Sequence, residues 1–453
     1  MRAALMLLPL MAACSLEPQY QRPRAPVPER FPQGEAYAAP AHDYRRPEWH
    51  QLIVSAQLQA VVQKALVHNR DLRVAAADIA SARAQYALAR AGMYPTIALT
   101  ADASVRENLR ARLGPQLYEL QVGTTAYEID LFGRLRSQSH AAREAYFASV
   151  AGARAVRITL IADTATAWLN VAAQASLLAI ARQTEVSAGE SVRVTESRLS
   201  GGVSSELDVR QAQTILAQAR SDVASYTTGV AQATNALVQL VGAELTNGDL
   251  PSELSDSGAL LAEVPAGVAS SVLLARPDVL QAEHALKSAN ANIGAARAAF
   301  FPTISLTALG GLMSEALSSL VSLGAAGVTL APSVSLPLTT FGANQARLDY
   351  ARAQRERYLA DYERVIQGAF REVADALARR GTIEAQRQAQ RELVAASESS
   401  YQLSDARYRA GADSYLNALD AQRTLYAARR TLVLTELTRA ENLVTLYRVL
   451  GGG

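Results

Sequence analysis

Tyr94-Pro95-Thr96-Ile97-Ala98-Leu99-Thr100-Ala101 returns 207 residues later as Phe301-Pro302-Thr303-Ile304-Ser305-Leu306-Thr307-Ala308. Each stretch follows a proline, which removes an amide donor and disfavours helix in the residue before it. Each then alternates in character. Ile97, Leu99, Ala101, Ala103 and Val105 share one side of an extended strand; Thr96, Thr100, Asp102, Ser104 and Arg106 share the other. A second run, Leu117 to Ile129, sets Tyr118, Leu120 and Val122 against Glu119, Gln121 and Gly123. In the later copy, Ile304, Leu306 and Ala308 alternate with Thr303, Ser305 and Thr307 over Thr303–Leu309. Val328, Leu330, Pro332, Val334 and Leu336 then alternate with Thr329, Ser333 and Ser335. Each copy therefore predicts a β-hairpin with one lipid-compatible and one wettable face. Outer-membrane strands need roughly 9–11 tilted residues of this pattern. A half-buried soluble sheet has the same period.

The echo extends over the chain. Asp71 and Asp278 share the offset of 207, and each opens an Ala-rich helical stretch. Phe132-Gly133 and Phe341-Gly342 are 209 apart, as are Glu196 to Gln213 and Asp405 to Gln422, and Leu240-Val241-Gly242 and Val449-Leu450-Gly451. Landmarks in one order with so little drift indicate a tandem duplication, with a period far longer than a solenoid repeat. Each copy reads helix, hairpin, very long helix, turn, helix. The helices are expected over Leu52–Ala91, Leu135–Arg198 and Ser205–Val241, then up to Ala299, over Ala343–Arg409 and over Ser414–Leu450, in Pro-free windows rich in helix formers. Unbroken, Leu135–Arg198 would run roughly 96 Å. Val209, Ala212, Leu216, Ala219, Val223, Tyr226, Val230, Ala233, Leu237 and Leu240 alternate spacings of three and four, a heptad seam. The matching seam admits Arg439 and Asn442, so its packing must differ. The organisation expected is a signal peptide (1–13), a lipidated Pro-rich segment (14–50), repeat 1 (51–242), a linker (243–270) and repeat 2 (271–453).

The signal assignment rests on Arg2, an apolar run from Ala3 to Met11, and Ala12-Ala13 before the lone cysteine, Cys14. Met11-Ala12-Ala13-Cys14 resembles a bacterial lipobox, which makes Cys14 the candidate site for a covalent lipid such as palmitate. Ser15 rather than Asp follows, the usual pattern for transport to the outer membrane. Between Leu16 and Pro47 stand seven prolines. They suit an extended strap running from the anchor along a surface, or a disordered tether.

Composition narrows the function. The 453 residues carry 44 Lys+Arg against 42 Asp+Glu, which gives little reason to expect a nucleic-acid partner. One cysteine excludes an internal disulfide framework and Cys-rich metal sites. Apolar residues reach 49% while aromatics reach only 6%, which suits long, closely packed helices. No Gly-rich phosphate loop, Walker-type lysine or metal cluster is present, so no energy-coupling site, cofactor or catalyst is expected. His42, His50, His68, His140 and His284 lie apart, without ligand spacing. No apolar run long enough for a spanning helix is expected either, leaving the hairpins to meet the membrane.

Four strands cannot close a barrel, and open edges in lipid would strand backbone polar groups at several kcal/mol each. Several chains must therefore share one barrel; three would supply 12 strands. The fold expected is mainly α with a membrane β-barrel: a long coiled-coil α-helical barrel joined to a shared transmembrane β-barrel, from two tandem repeats. The rival readings are a lipid-anchored periplasmic coiled-coil scaffold without a pore, and a lipoprotein enzyme.

The joint pattern resembles the TolC/OprM family of outer-membrane efflux channels, in its lipoprotein, NodT-like branch. Its carriers are Cys14, Leu16-Glu17-Pro18-Gln19-Tyr20-Gln21-Arg22-Pro23, both Tyr/Phe-Pro-Thr-Ile entries, Asp130-Leu131-Phe132-Gly133, and Tyr408-Arg409-Ala410-Gly411 through Asp420-Ala421-Gln422-Arg423. The resemblance implies a homotrimer with a 12-stranded barrel and a 12-helix periplasmic tunnel. It also implies a periplasmic adaptor and an inner-membrane pump, of RND type, exporting drugs or other toxic small molecules. Energy would come from the pump, and the duct itself would be passive.

The turns Ser200-Gly201-Gly202-Val203 and Ala410-Gly411-Ala412-Asp413 join the long helices and mark the periplasmic end. Leu416, Asp420 and Arg423 follow at i, i+4 and i+7, on one helix face. Repeated around a pore they would make an apolar ring and two charged rings, which can gate and select. By the resemblance, Leu416, Asp420 and Arg423 match gate positions and Asp208 an acidic position beside them. Gly201, Gly202, Gly411 and Asp413 match the tip that meets the adaptor. The bland alternatives are turn chemistry for the glycines and an intrahelical Asp–Arg pair worth about 0.2–0.5 kcal/mol. Asp413 stands where the TolC pattern carries Arg, so the salt bridge to Asp208 cannot form, and Asn417 replaces an acidic residue. A ring of OprM type is therefore expected over a TolC-style lock.

Overall fold

The computed structural model describes residues 15–37, 48–105, 116–254, 256–262 and 270–452. The signal segment, Cys14 and part of the Pro-rich segment lie outside the described residues, as does Arg106. The chain divides into two compact units. The first holds the residues through Ala25, Ala77–Ala151 and Leu280–Arg364; the second holds Pro26–Ala76, Gly152–Val279 and the residues from Val365 onward.

The elements follow one scheme twice. Helices α1 (Ala56–His68) and α2 (Arg70–Ala91) precede strands β1 (Ala98–Val105) and β2 (Gln116–Glu128), then α3 (Arg134–Ser200) and α4 (Glu206–Val241). Helix α5 (Pro277–Ala298), strands β3 (Thr303–Ser314) and β4 (Ala326–Ser335), and helices α6 (Ala343–Arg409) and α7 (Tyr415–Val449) repeat the order. Each of α3 and α6 has 67 residues, roughly 100 Å of helix. The first expected helix is broken. Ile53 is extended and bridges Leu261, with a four-residue turn, Trp49–Leu52, before it. Asn69 leaves the helical region (ψ 139°). Its side chain accepts from Leu72 N–H (3.0 Å) and donates to the Leu240 carbonyl (2.8 Å), an N-cap that restarts the helix as α2.

In the second unit the helix pairs pack through small side chains. Along α4, Val209, Ala212, Ala219 and Leu237 are buried, and Leu216, Val223, Tyr226, Val230, Ala233 and Leu240 are half-buried. The heptad seam is thus the packed face. Its counterpart on α7 buries Arg439 and Asn442. Arg439 pairs with Glu384 of α6, and Asn442 donates to the Ala376 carbonyl at 3.0 Å. The predicted difference in packing is therefore a polar one: Arg439 and the Asn442 amide nitrogen are paired, while Asn442 Oδ1 is buried without a hydrogen-bond partner among the described residues. Against expectation, α3 contains an 18-residue window apolar enough to cross a membrane by length and composition. Only 22% of that window is buried; along the same helix, in this unit, Ile161, Ala165, Trp168, Leu169 and Ala172 are buried. The Trp168 indole N–H donates to the Asp249 carbonyl (3.0 Å).

In the first unit the two hairpins join into one antiparallel sheet, ordered β1-β2-β3-β4. Pairing of β2 with β3 links the copies, with Leu120 opposite Leu312 and Gln121 opposite Gly311. A bulge between Thr124 and Tyr127 shifts the register, with Ala126 at φ 53°. The first residues of the strap run extended in this unit, where Arg22 forks onto Glu283 of α5 (3.0 and 2.7 Å). In the second unit Phe31 is buried and stacks on Phe370 at 4.9 Å. Over its described residues the segment is a docked strap.

Candidate functional site

Two regions carry the functional reading: the sheet, and the turns that end the long helices. The sheet's register sorts most of its residues by face, with Leu117, Leu309 and Met313 on the polar side and Thr124 and Ser314 on the apolar side among the exceptions. Leu99–Val122, Ala101–Leu120, Leu120–Leu312, Leu306–Pro332, Ala308–Leu330 and Gly310–Val328 are opposite pairs on the apolar side. Thr100–Gln121, Asp102–Glu119, Ser305–Ser333 and Thr303–Ser335 pair on the polar side. The apolar side is uncovered: Leu99 is 71%, Leu330 69% and Val328 86% exposed. Among the described residues nothing pairs with the outer edge of β1 or β4. A half-buried soluble sheet would cover its apolar face against a core; this face is left for another apolar medium.

The turns belong to the second unit. After α3, Gly202 adopts φ 74°, and Gly411 after α6 adopts the same value, a left-handed conformation that glycine takes without steric cost. Gly201 donates its N–H to the Ser197 carbonyl (3.1 Å). Ser205 caps α4 in a capping box with Asp208: Asp208 accepts from Ser205 N–H (2.9 Å), Ser205 Oγ (2.8 Å) and Ser204 Oγ (3.0 Å). Burial would raise the Asp208 pKa, but these bonds hold it below the usual carboxylate range. Asp413 is likewise engaged within its own turn. Its carboxylate accepts from Ser414 N–H (2.9 Å), Arg407 Nε (3.2 Å) and Asn417 Nδ2 (2.7 Å), and these bonds lower its pKa. The Asp208 and Asp413 carboxylates are each held locally, in keeping with the missing cross-helix bridge.

The link between the two helix pairs is made by residues outside the predicted set. Arg198, near the end of α3, donates Nη1 to the carbonyls of Tyr408 (3.1 Å) and Arg409 (3.4 Å). Its guanidinium lies 4.8 Å above the Tyr408 ring. Tyr408 OH and Thr195 Oγ1 are 3.2 Å apart, and Tyr408 packs against Tyr415 at 5.1 Å. Burial pushes the Tyr415 phenol up to about 12. Val192, Ala212, Ala418 and Leu419 complete this core. The spacing of Arg198 from Tyr408 carries no local signal. Only the 209-residue offset, which places Leu199 opposite Tyr408, hints that the two ends meet.

On α7, Tyr415, Ala418, Leu419 and Gln422 are buried, which turns Leu416, Asp420 and Arg423 outward together. Leu416 is 57% exposed. Among the described residues Asp420 and Arg423 form no ion pair, so the intrahelical pair is not made. Asp420 instead lines an open groove of about 540 Å³ between α6 and α7, with Ser397, Ser400, Ser404, Arg407 and Asn417. The histidines differ from expectation. His140 and His284, though 144 positions apart, both reach Glu144 in the first unit.

Residues 61–243 and 268–452 match the family described as outer membrane efflux protein. The chain belongs to that family. It is 42% identical over 454 residues to the probable efflux pump outer membrane protein TtgC of Pseudomonas putida, covering 98% of this chain and 93% of that protein. It is 40% identical over 447 residues to the cation efflux system protein CusC of Escherichia coli, covering 98% and 97%. The open-state outer membrane channel MtrE of Neisseria gonorrhoeae superposes with a TM-score of 0.88 at 37% identity, over 97% of this chain and 98% of that one. This family member is thus an outer-membrane efflux channel, in a family of transport channels and with the fold of the TolC/OprM type. The sheet with its bare apolar side is its membrane part.

Proposed function

We propose that this channel is the passive outer-membrane duct of a tripartite efflux system. Three copies share a 12-stranded barrel, and an inner-membrane pump of RND type hands drugs or other toxic small molecules to it through a periplasmic adaptor. The observation that carries the reading is the four-stranded sheet with two unpaired edges and an uncovered apolar face. Joining β1 of one copy to β4 of the next satisfies both edges, and closure then removes the cost of bare backbone in lipid. A lipid on Cys14 tethers the strap. At the tip, Gly201, Gly202, Gly411 and Asp413 meet the adaptor, and Leu416, Asp420, Arg423 and Asp208 narrow the periplasmic mouth. The outward face shared by Leu416, Asp420 and Arg423 supports a ring that gates through an apolar constriction and selects through charge.

Purified protein in planar bilayers tests the duct. Single-channel conductance from a trimer is expected, with conductance raised by Asp420→Ala. A monomer in detergent that never conducts would end the reading. Labelling with radioactive palmitate in a Gram-negative host tests Cys14, and label lost in Cys14→Ser is the expected result.

A further inference from the structure

We propose that Glu17, His140, Glu144 and His284 form a proton-charged clasp that holds the start of the strap against α3 and α5, and that it opens when His140 loses its charge. Within the first unit the side chains at the start of the strap make two charged attachments. The one at Arg22 is independent of pH over any ordinary range: its guanidinium forks onto Glu283, which also takes Tyr20 OH (3.3 Å) and Lys287 (3.0 Å). The other lies five residues earlier. Glu17 Oε2 is 2.8 Å from His140 Nδ1, and His140 Nε2 is 3.4 Å from Glu144 Oε1. His284 Nδ1 meets the other oxygen of Glu144, Oε2, at 2.8 Å, and Arg143 Nη2 approaches Oε1 at 3.3 Å.

Both nitrogens of His140 thus face carboxylates. A neutral imidazole has one N–H, so one of the two contacts would set a lone pair against an acceptor; only the imidazolium donates to both. The backbone nearby is equally committed. Arg297 donates to the Leu16 carbonyl (3.1 Å) and Asn290 to the Pro18 carbonyl (2.7 Å). Gly294 leaves room for the strap, since a Cβ there would lie 2.9 Å from Glu17 Cα.

The charged and titratable groups around the clasp are Glu17, Tyr20 and Arg22 from the strap, His140, Arg143 and Glu144 from α3, Glu283, His284, Lys287 and Arg297 from α5, and Tyr362 from α6. Hydrogen bonds to Glu144 and then Glu17 raise the His140 pKa to about 9. Burial would raise Glu144, yet the bonds from His140 and His284 hold it at about 2. The histidine's contribution is therefore complete below its unfolded value of about 6.5 and is lost as pH rises through about 9. The carboxylate's contribution is complete above its unfolded value of about 4.3 and is lost as pH falls through about 2. The contacts begin at residue 16, so the clasp holds whether or not Cys14 carries lipid, and its test is separate from conductance.

The test places a nitroxide on an unnatural ketone residue at Gln19, an exposed position between the two attachments, in the full chain in detergent. The label should be immobile at pH 6.5, lose its immobile component reversibly around pH 9, and leave the helical signal unchanged. His140→Gln should free it already at pH 6.5, whereas His140→Arg should keep it immobile at pH 9.5. A parent protein equally immobile at pH 6.5 and 9.5 would overturn the clasp without reference to any variant. So would a His140→Gln protein as immobile at pH 6.5 as its parent.

Discussion

A single guanidinium, that of Arg198, reaches two carbonyls at the end of α6: that of Arg409, and that of Tyr408, which also accepts from Gly411 N–H (3.0 Å). Its Nη1 donates to both the Tyr408 and Arg409 carbonyls while the guanidinium lies over the Tyr408 ring. Removing it should loosen the last turn. Arg198→Ala is expected to speed trypsin cleavage after Arg409 by about tenfold, the equivalent of ~1.4 kcal/mol of local opening. Arg198→Lys, which keeps the charge but not the planar guanidinium, should fall between parent and alanine. Mass spectrometry of a timed digest reads the difference, and equal rates in all three proteins would deny Arg198 the role. Little of this was legible beforehand. Helical spacing predicts that Leu416, Asp420 and Arg423 share one face, and the structure exposes all three; their gate role came from the family resemblance. Arg198 and the His140–Glu144–His284 group depend on elements far apart in the chain, and no local period announces them.

At the scale of the element, the sheet depends on close backbone approach. A Cβ on Gly311 would lie 2.2 Å from the Leu120 carbonyl oxygen, whereas one on the adjacent Gly310 would meet nothing within 4 Å. Gly311→Ala should therefore cost roughly 2–4 kcal/mol by forcing β2 and β3 apart, and Gly310→Ala should cost almost nothing. The measure is the fraction of protein recovered as folded oligomer on a gel without heating. Comparable recovery for both would contradict the β2–β3 register. Most elements were legible, because strand alternation and long helical periods are local and both appear twice. The break at Asn69 was not: its cap is local, with Asn69 Oδ1 accepting from Leu72 N–H, but no proline or glycine marks it, and its amide nitrogen is held by the distant Leu240 carbonyl. The apolar window in α3 was underestimated for a related reason: alanine serves helix packing and lipid contact equally well in composition.

At the scale of the whole molecule, the question is what covers the sheet. If lipid does, a charge on the apolar side should obstruct insertion, while a charge on the polar side should be tolerated. Leu330→Arg is expected to cost roughly 2–4 kcal/mol per chain near the bilayer centre and to lower the yield of membrane-inserted protein. Thr329→Arg, one residue away on the opposite side, should insert like the parent. Outer-membrane fractions compared by immunoblot give the answer, and equal loss from both would mean the side facing lipid has been misassigned.

The bare wall of the sheet also matters on the way to its destination. A newly made copy must traverse the watery periplasm before it reaches either neighbours or bilayer, carrying a greasy panel with raw margins. Such a panel sticks to its own kind indiscriminately, so safe passage calls for an escort that shields it until the final docking.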